Sequence, residues 1–436
     1  MNVHLKNALI PILNPNAFYE LFVENGRIKQ LVQYEDKIEG GKQFDFKGLM
    51  QAEQTNASYD LNGRVVLPTF ADIHMHLDKS HSLPYVGNQS GTLLEAVQNY
   101  KQAAPTFSDA QIKARIRKTA LSALKYGTTT IRTHIDFHTR SDQATTFRGV
   151  KMALEVKEEL KDWIHIQVFP MLPYHPYNDR DRQCIKKVLT MGIDGIGGAP
   201  HLSEKPLECV EELFQFALES DLPLDLHTDE SDSPDVDTIL KIAELTIKHQ
   251  LQGKVVVDHL CSLAAMDEEK ANHVLERMKA ARLMAVTLPA ANMYLQGRED
   301  QGLIRRGITR INEIRAAGIP LATASDNVCD PFHPFGRADL LQIAQLTGYA
   351  AHMGGRSDLI ELLKMVTLTP KKIIGEKESG INSGDRASFV LFDSFSVEQL
   401  FAELTETRAV YHNGRWVSVQ YSQLEQMLMA KNYQSS

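Results

Sequence analysis

The chain has 436 residues, 43% of them hydrophobic and 23% charged, a balance that fits a packed globular protein and excludes a disordered one. Its formal net charge is −8 with no run of Lys or Arg, so nucleic acid has no electrostatic footprint to follow and a small-molecule partner is expected. No window reaches the roughly 18 apolar residues of a bilayer span. The start MNVHLKNALIPIL lacks a cleavable leader, and Cys184, Cys209, Cys261 and Cys329 form no CxxC pair, so a cytoplasmic protein with reduced thiols is expected.

In chain order, residues 1–64 begin with short alternating runs such as YELFVENGRIKQLV, whose Asn-Gly pair signals a hairpin. Residues 35–56 are polar without periodicity and read as a mobile loop. Eight strand-like runs follow, at 65–76, 128–136, 163–171, 192–200, 222–230, 254–260, 282–288 and 319–327. Between them ALEVKEELKD, LECVEELFQFALES, VDTILKIAELTIKHQ and EKANHVLERMKAARL repeat apolar residues at three-to-four spacing, as helices do. Alternating β and α elements fit an open doubly wound sheet as well as a closed (β/α)₈ TIM barrel. A His or Asp at the C-terminal end of the first, second, fifth, sixth and eighth runs favours the barrel, which places its chemistry there. Residues 385–418 return to the hairpin style in RASFVLFD and RAVYHNGRWVSV, so both chain ends are expected to build one small β-sandwich. The expected domains are 1–67 with 380–436 for the sandwich and 68–379 for the barrel.

His74 and His76 are two apart on a strand, so both imidazoles face one side and can converge on a cation. His227 ends the fifth run, with Glu230 three residues on as a candidate proton shuttle. His259 ends the sixth run and, if sequential strands are neighbours, lies beside His227. Asp326 ends the eighth in apolar surroundings, where an unpaired carboxylate is costly. Three neutral donors and one anion suit Zn²⁺ or Fe²⁺. A second ion needs a bridging anion near the end of the fourth run, which reads GIGGAP, so one ion is expected and His259 is left to hydrogen-bond the attacking water. His134, Asp136, His201 and Glu204 read as pocket walls or supports of the ligands.

The segments HMHLDK, NQSGTLLEA, IRTHID, HTDE, LQGREDQGLIRRGITR and SDNVCDPFHPFG resemble bacterial cytosine deaminases of the amidohydrolase superfamily, over most of residues 60–400. HMHLDKS and ASDN are also similar to N-isopropylammelide amidohydrolase. The resemblance implies His74, His76, His227 and Asp326 as ligands of one divalent ion, Glu230 as proton carrier to a ring nitrogen, His259 as orienter of the attacking water and Asp326 as acceptor of its proton. It sets Leu93, Met171, Asn327 and Phe332 against the substrate. Met171 stands where cytosine deaminases have a base-binding glutamine, and a thioether cannot replace an amide's paired donor and acceptor. Asn327 and Phe332 stand where those enzymes have Asp and Trp, so a different ring is expected: a substituted aminopyrimidine, pterin or triazine. The expected reaction is deamination. Removal of an N-alkyl or N-acyl group is the alternative, and a non-catalytic scaffold predicts missing ligands that are here present. An assembly of identical chains is expected.

Overall fold

The computed structural model describes residues 2–34, 43–51, 56–302 and 304–420. Strands β1 (Asn2–Leu9), β2 (Phe18–Glu24) and β3 (Arg27–Tyr34) form an antiparallel meander, and β4 (Asn56–Asp60) pairs parallel with β1. The β2–β3 turn is Asn25-Gly26, with φ of 50° and 75°, the left-handed pair whose twist matches the flanking strands. Of the polar stretch expected to be a mobile loop, residues 35–42 and 52–55 lie outside the described residues. Within it Phe46–Gln51 is a short helix, because Phe44, Phe46 and Leu49 pack onto the sheet, with Phe44 stacked edge-on at 6.3 Å from Tyr59.

The run 65–76, read as one strand, divides in two. Its first part, β5 (Val66–Pro68), joins the C-terminal sheet, and β6 (Phe70–Met75) opens the barrel. Pro68 has no N–H to continue a ladder, so the chain changes sheets at Thr69.

The barrel continues with β7 (Thr128–Asp136), β8 (His165–Met171), β9 (Ile196–Gly198) and β10 (Leu224–Thr228). It ends with β11 (Val255–His259), β12 (Met284–Thr287) and β13 (Leu321–Thr323). All eight are parallel and hydrogen-bonded in sequential order. Met75 bridges Asp326, and the Asp326 N–H donates to the His74 carbonyl at 2.9 Å, which joins the last strand to the first. This excludes the open sheet, whose strand order reverses at a switch point. Helices Gln143–Leu160, Pro206–Ser220, Thr238–Lys248 and Glu268–Ala280 fill the four periodic segments. Asp142 and Asp267 cap two of them by accepting N-terminal backbone N–H groups, each cap contributing about 1 kcal/mol.

The fourth barrel strand is the shortest departure from expectation: GIDGIGGAP contributes three strand residues. A Cβ on Gly197 would sit 3.0 Å from His134 Nδ1 and 3.1 Å from Met171 Sδ, so glycine here makes room for two larger side chains, one from the adjacent β8 and one from β7 beyond it.

At the C-terminal end β14 (Phe389–Phe392), β15 (Arg408–His412) and β16 (Arg415–Gln420) form an antiparallel sheet with β5, in the order β16-β15-β14-β5. Trp416 of this sheet meets Tyr59 of the other edge-on at 6.4 Å, so segments from both chain ends face each other. A buried pair ties the sheet to the barrel. Arg408, with no exposed surface, makes bonds of 3.0 and 3.1 Å to the two carboxylate oxygens of Asp339 and reaches the Tyr126 carbonyl.

Candidate metal and catalytic centre

The barrel mouth is built from residues at or just beyond strand ends. His74 and His76 come from the end of β6, His227 from β10, His259 from β11, and Asp326 from just after β13; all five are buried. His259 and Asp326 have left-handed backbones, with φ of 65° and 60°. Side chains at such turns leave the strand direction, at a cost that a functional site repays elsewhere.

The donor atoms converge. His76 Nε2 lies 3.1 Å from His227 Nε2 and 3.3 Å from Asp326 Oδ1, and His74 Nε2 lies 3.6 Å from the same oxygen. Tetrahedral bonds of roughly 2.0–2.1 Å separate ligand atoms by roughly 3.3–3.4 Å, so these spacings fit one ion. His74 Nε2 and Asp326 Oδ1 are buried without a hydrogen-bond partner, the state expected of atoms whose partner is a cation.

Charge supports the same conclusion. Burial pushes the His76 imidazole down to about 4 and holds His227 and His259 well below the ordinary range, so these rings are neutral at pH 7. Burial also opposes the charge on His74, but Asp258, 3.0 Å from Nδ1, and Asp326 outweigh it and raise its pKa. For Asp326, burial is outweighed by His74 and His76, and the carboxyl lies well below its usual range. Burial and the neighbouring Asp225 raise Asp258 in turn, so His74 and Asp258 hold a proton between them, and a cation at Nε2 would favour the neutral ring.

Glu230 stands apart from the ligands. Burial, then the Asp326 carboxylate, push its pKa up to about 8. Its Oε1 accepts from Gln296 Nε2 at 3.3 Å and from Asn292 Nδ2 at 3.5 Å, and lies 3.5 Å from His259 Nδ1. Asn292 Nδ2 also meets His259 Nδ1 at 2.9 Å, while His259 Nε2 is buried and unpartnered. With Asn292 donating to Nδ1, His259 carries its proton on Nε2.

These groups open into a cavity of about 220 Å³. His76, His227, Glu230, His259, Asp326 and all four expected substrate contacts, Leu93, Met171, Asn327 and Phe332, line it. Asn327 is turned aside, its Nδ2 donating to Asp330 at 2.7 Å. Asp136 is a wall, as expected, and pairs at 2.9 Å with Lys79, whose ammonium lies 4.5 Å above the Phe332 ring. His134 is not a wall: it is fully buried below the mouth, its ring 4.3 Å from that of His74. His201 supports from behind, 3.2 Å from the His227 carbonyl, and Glu204 is exposed and takes no part.

Sequence reading missed Asp258, Asn292, Gln296 and Lys79. A signal existed for Asp258, an acid inside the apolar run KVVVDHL. Gln296 lies in the segment LQGREDQGLIRRGITR that carries the family resemblance, whereas Asn292 has no signal of its own, because only the helix Pro289–Leu295 brings it over the mouth.

Barrels that present imidazoles and a carboxylate to a cavity at this end carry out ion-assisted hydrolysis, and fold and site assign the chain to that class. The chain belongs to the Amidohydrolase family, whose model matches residues 90–418, and it is accordingly a metal-dependent hydrolase of C–N bonds. It is 31% identical over 365 residues to the pterin deaminase of Rhizobium rhizogenes (strain K84 / ATCC BAA-868), covering 82% of each chain. It is 27% identical over 420 residues to the N-isopropylammelide isopropyl amidohydrolase of Pseudomonas sp. (strain ADP), covering 94% of this chain and 96% of that one. The 5-methylcytosine deaminase structure from Klebsiella pneumoniae liganded with 5-fluorocytosine superposes with a TM-score of 0.84, at 24% identity over 97% of this chain and 98% of that one, and shares its fold. No helix among the described residues is long and apolar enough to cross a membrane.

Proposed function

We propose that this amidohydrolase removes the amino group from a substituted nitrogen heterocycle of the aminopyrimidine, pterin or triazine type. Residues 68–379 form the catalytic barrel in this reading, and His74, His76, His227 and Asp326 hold one divalent ion, Zn²⁺ or Fe²⁺. A deeper set, His74, His134, His227 and Asp258, has all four donor atoms within 4.8 Å of one another, whereas in the upper set His74, His76 and Asp326 meet that spacing and His227 joins through His76. The upper set is preferred because His76, His227 and Asp326 line the cavity and His134 does not.

The observation that carries the proposal is a pair of carboxyls with opposed surroundings in a single cavity, Glu230 among the neutral amides of Asn292 and Gln296 and Asp326 against His74 and His76. Glu230, at about 8, holds a proton at pH 7, and Asp326 does not. One can give a proton while the other takes one, the division of labour that hydrolysis of an amidine needs. An ion in this site supplies Lewis-acid chemistry and makes water acidic near neutral pH. Asp326 accepts the proton that water loses. Nε2–H of His259 donates a hydrogen bond to the attacking oxygen and holds it against the ring carbon. Glu230 protonates the adjacent ring nitrogen, so negative charge does not build up there as the C–O bond forms. Asp326 then passes its proton to the exocyclic nitrogen, Glu230 takes the proton of the new hydroxyl, and the C–N bond breaks as the carbonyl forms, releasing a neutral amine.

Two features shape the substrate. Leu93, Val97, Leu172, Tyr174 and Phe332 give the cavity flat apolar walls suited to an aromatic ring. Met171 offers no paired donor and acceptor to an unsubstituted cytosine edge. The similarity to a pterin deaminase supports a larger aminated ring. Removal of an N-alkyl group is the second reading, favoured by the apolar Leu93–Val97 side of the cavity and by the similarity to the N-isopropylammelide enzyme. Screening aminated and alkylaminated pterins, pyrimidines and triazines with the metal-loaded enzyme separates them. Ammonia release supports deamination; release of alkylamine alone refutes it.

A further inference from the structure

A second cavity, of about 390 Å³, lies at the opposite, N-terminal end of the barrel, between the strand starts and the C-terminal sheet. Thr129 and Thr130 at the start of β7 and His165 at the start of β8 form one wall; Ser388, His412 and Asn413 form the other. Thr130 is six residues from Asp136 along β7, so this cavity is about 20 Å from the chemistry at 3.3 Å per residue.

Its charges do not balance. Lys161, Lys371, Lys377 and Arg386 line it against two carboxylates, Glu376 and Glu378. Both acids are already engaged, Glu376 by Thr130 at 2.9 Å and His165 at 3.2 Å, Glu378 by Arg27 at 3.2 Å. Lys161 pairs outward with Glu158, and Arg386 reaches Glu378 only at 3.9 Å. Lys377 makes no ion pair among the described residues.

Lys371 is the unusual member. It is 5% exposed, yet its ammonium donates only to the Ser379 carbonyl at 3.0 Å and the Thr69 hydroxyl at 3.4 Å, with no carboxylate in ion-pair reach among the described residues. Burial pushes its pKa down to about 8, with Glu376 and Asp385 too distant to restore it. Buried charges are ordinarily paired, so a lone lysine facing a cavity is a binding group whose partner comes from solution. Hydroxyls surround it: Thr129 donates to Thr69 at 2.7 Å, and Thr69 and Ser388 are 2.7 Å apart.

We propose that this cavity binds a small phosphate-type oxyanion, with Lys371 as its buried counter-charge and Lys377 and Arg386 closing over it. Such a site at the barrel's stability face ties the strand starts to the C-terminal sheet. It is independent of the reaction proposed at the mouth.

The test is calorimetric titration of the metal-loaded full chain with inorganic phosphate, at constant ionic strength set by chloride, with turnover followed in parallel. One phosphate per chain is expected. Lys371→Met should weaken binding about tenfold or more, the effect of losing a hydrogen bond to a charged group. Because that variant alters a buried position, Lys377→Gln and Arg386→Gln are tested too, each expected to weaken binding by up to about fivefold without changing turnover. No heat up to about 20 mM phosphate, about 20-fold above the dissociation constant of a millimolar site, overturns the proposal. So does a binding curve that survives all three substitutions and tracks inhibition of turnover, which assigns the phosphate to the barrel mouth.

Discussion

Asn292 Nδ2 and His259 Nδ1 are 2.9 Å apart, and that contact decides which nitrogen of His259 faces the cavity with a proton. The same amide lies 3.5 Å from Glu230 Oε1, so one side chain from the helix after β12 positions both proposed proton-handling groups.

Asn292→Ala should therefore lower turnover without touching the ion. A loss of about 10- to 100-fold in kcat is expected, the usual effect of removing a group that orients a catalytic side chain, with metal content unchanged. Metal analysis and steady-state kinetics on the same sample check it. Wild-type kcat in the variant removes Asn292 from the mechanism.

Glu230→Gln should retain the metal and lose a factor of at least about 10² in kcat. The wild-type pH profile carries the same information with a definite sign. Glu230 must be protonated to act as an acid, so kcat/KM holds below its pKa of about 8 and falls as pH rises through it. A profile flat to pH 9.5 would falsify this assignment.

Asp258 meets His74 Nδ1 at 3.0 Å, leaving Nε2 directed toward Asp326. A carboxylate behind a ligating imidazole fixes the ring and raises its basicity. Asp258→Asn should weaken metal affinity by about 10- to 100-fold, measured by competition with a chelator, while re-saturation with the ion restores most of the activity. Unchanged affinity would show that the ring is held by packing alone.

Arg408→Met tests the join between the C-terminal sheet and the barrel. It removes the bidentate partner and leaves Asp339 with Arg337, 3.0 Å from Oδ2, as its one remaining cation among the described residues, so the loss should approach but not exceed the about 3–5 kcal/mol of breaking a buried pair outright. Urea unfolding should show that loss, with kcat per folded molecule preserved because the pair is remote from the mouth. Arg408→Lys, which keeps the charge but not the fork that spans both carboxylate oxygens and the Tyr126 and Thr405 carbonyls, should recover only part of the loss, and full recovery would show that charge alone holds the join.

The sequence by itself determined the repeating architecture and the residues that gather at the mouth. Period-two and three-to-four patterns depend on neighbours along the chain, so eight strands and four helices were legible, as were the turns at Asn25-Gly26 and Asn413-Gly414, whose φ values are all positive. His74, His76, His227, His259, Glu230 and Asp326 could be selected because each sits at or near a strand's C-terminal end, a position that a barrel turns into one shared rim.

Tertiary structure alone decided what lies behind that rim. Thr69 splits one apolar run between two sheets because the strand partners, β14 and β7, come from distant parts of the chain. His134, expected as either a pocket wall or a support of the ligands, lies beneath them, since Gly197 two strands away opens space for it. Asn292 reaches His259 across 33 residues, Arg132 meets Asp225 across 93, and Lys371 has no acid in ion-pair reach among the described residues because none of the elements packed around it brings one close. Periodicity records which way a side chain points relative to its own element; what it meets there depends on the closure of the barrel and the packing of segments far apart in sequence.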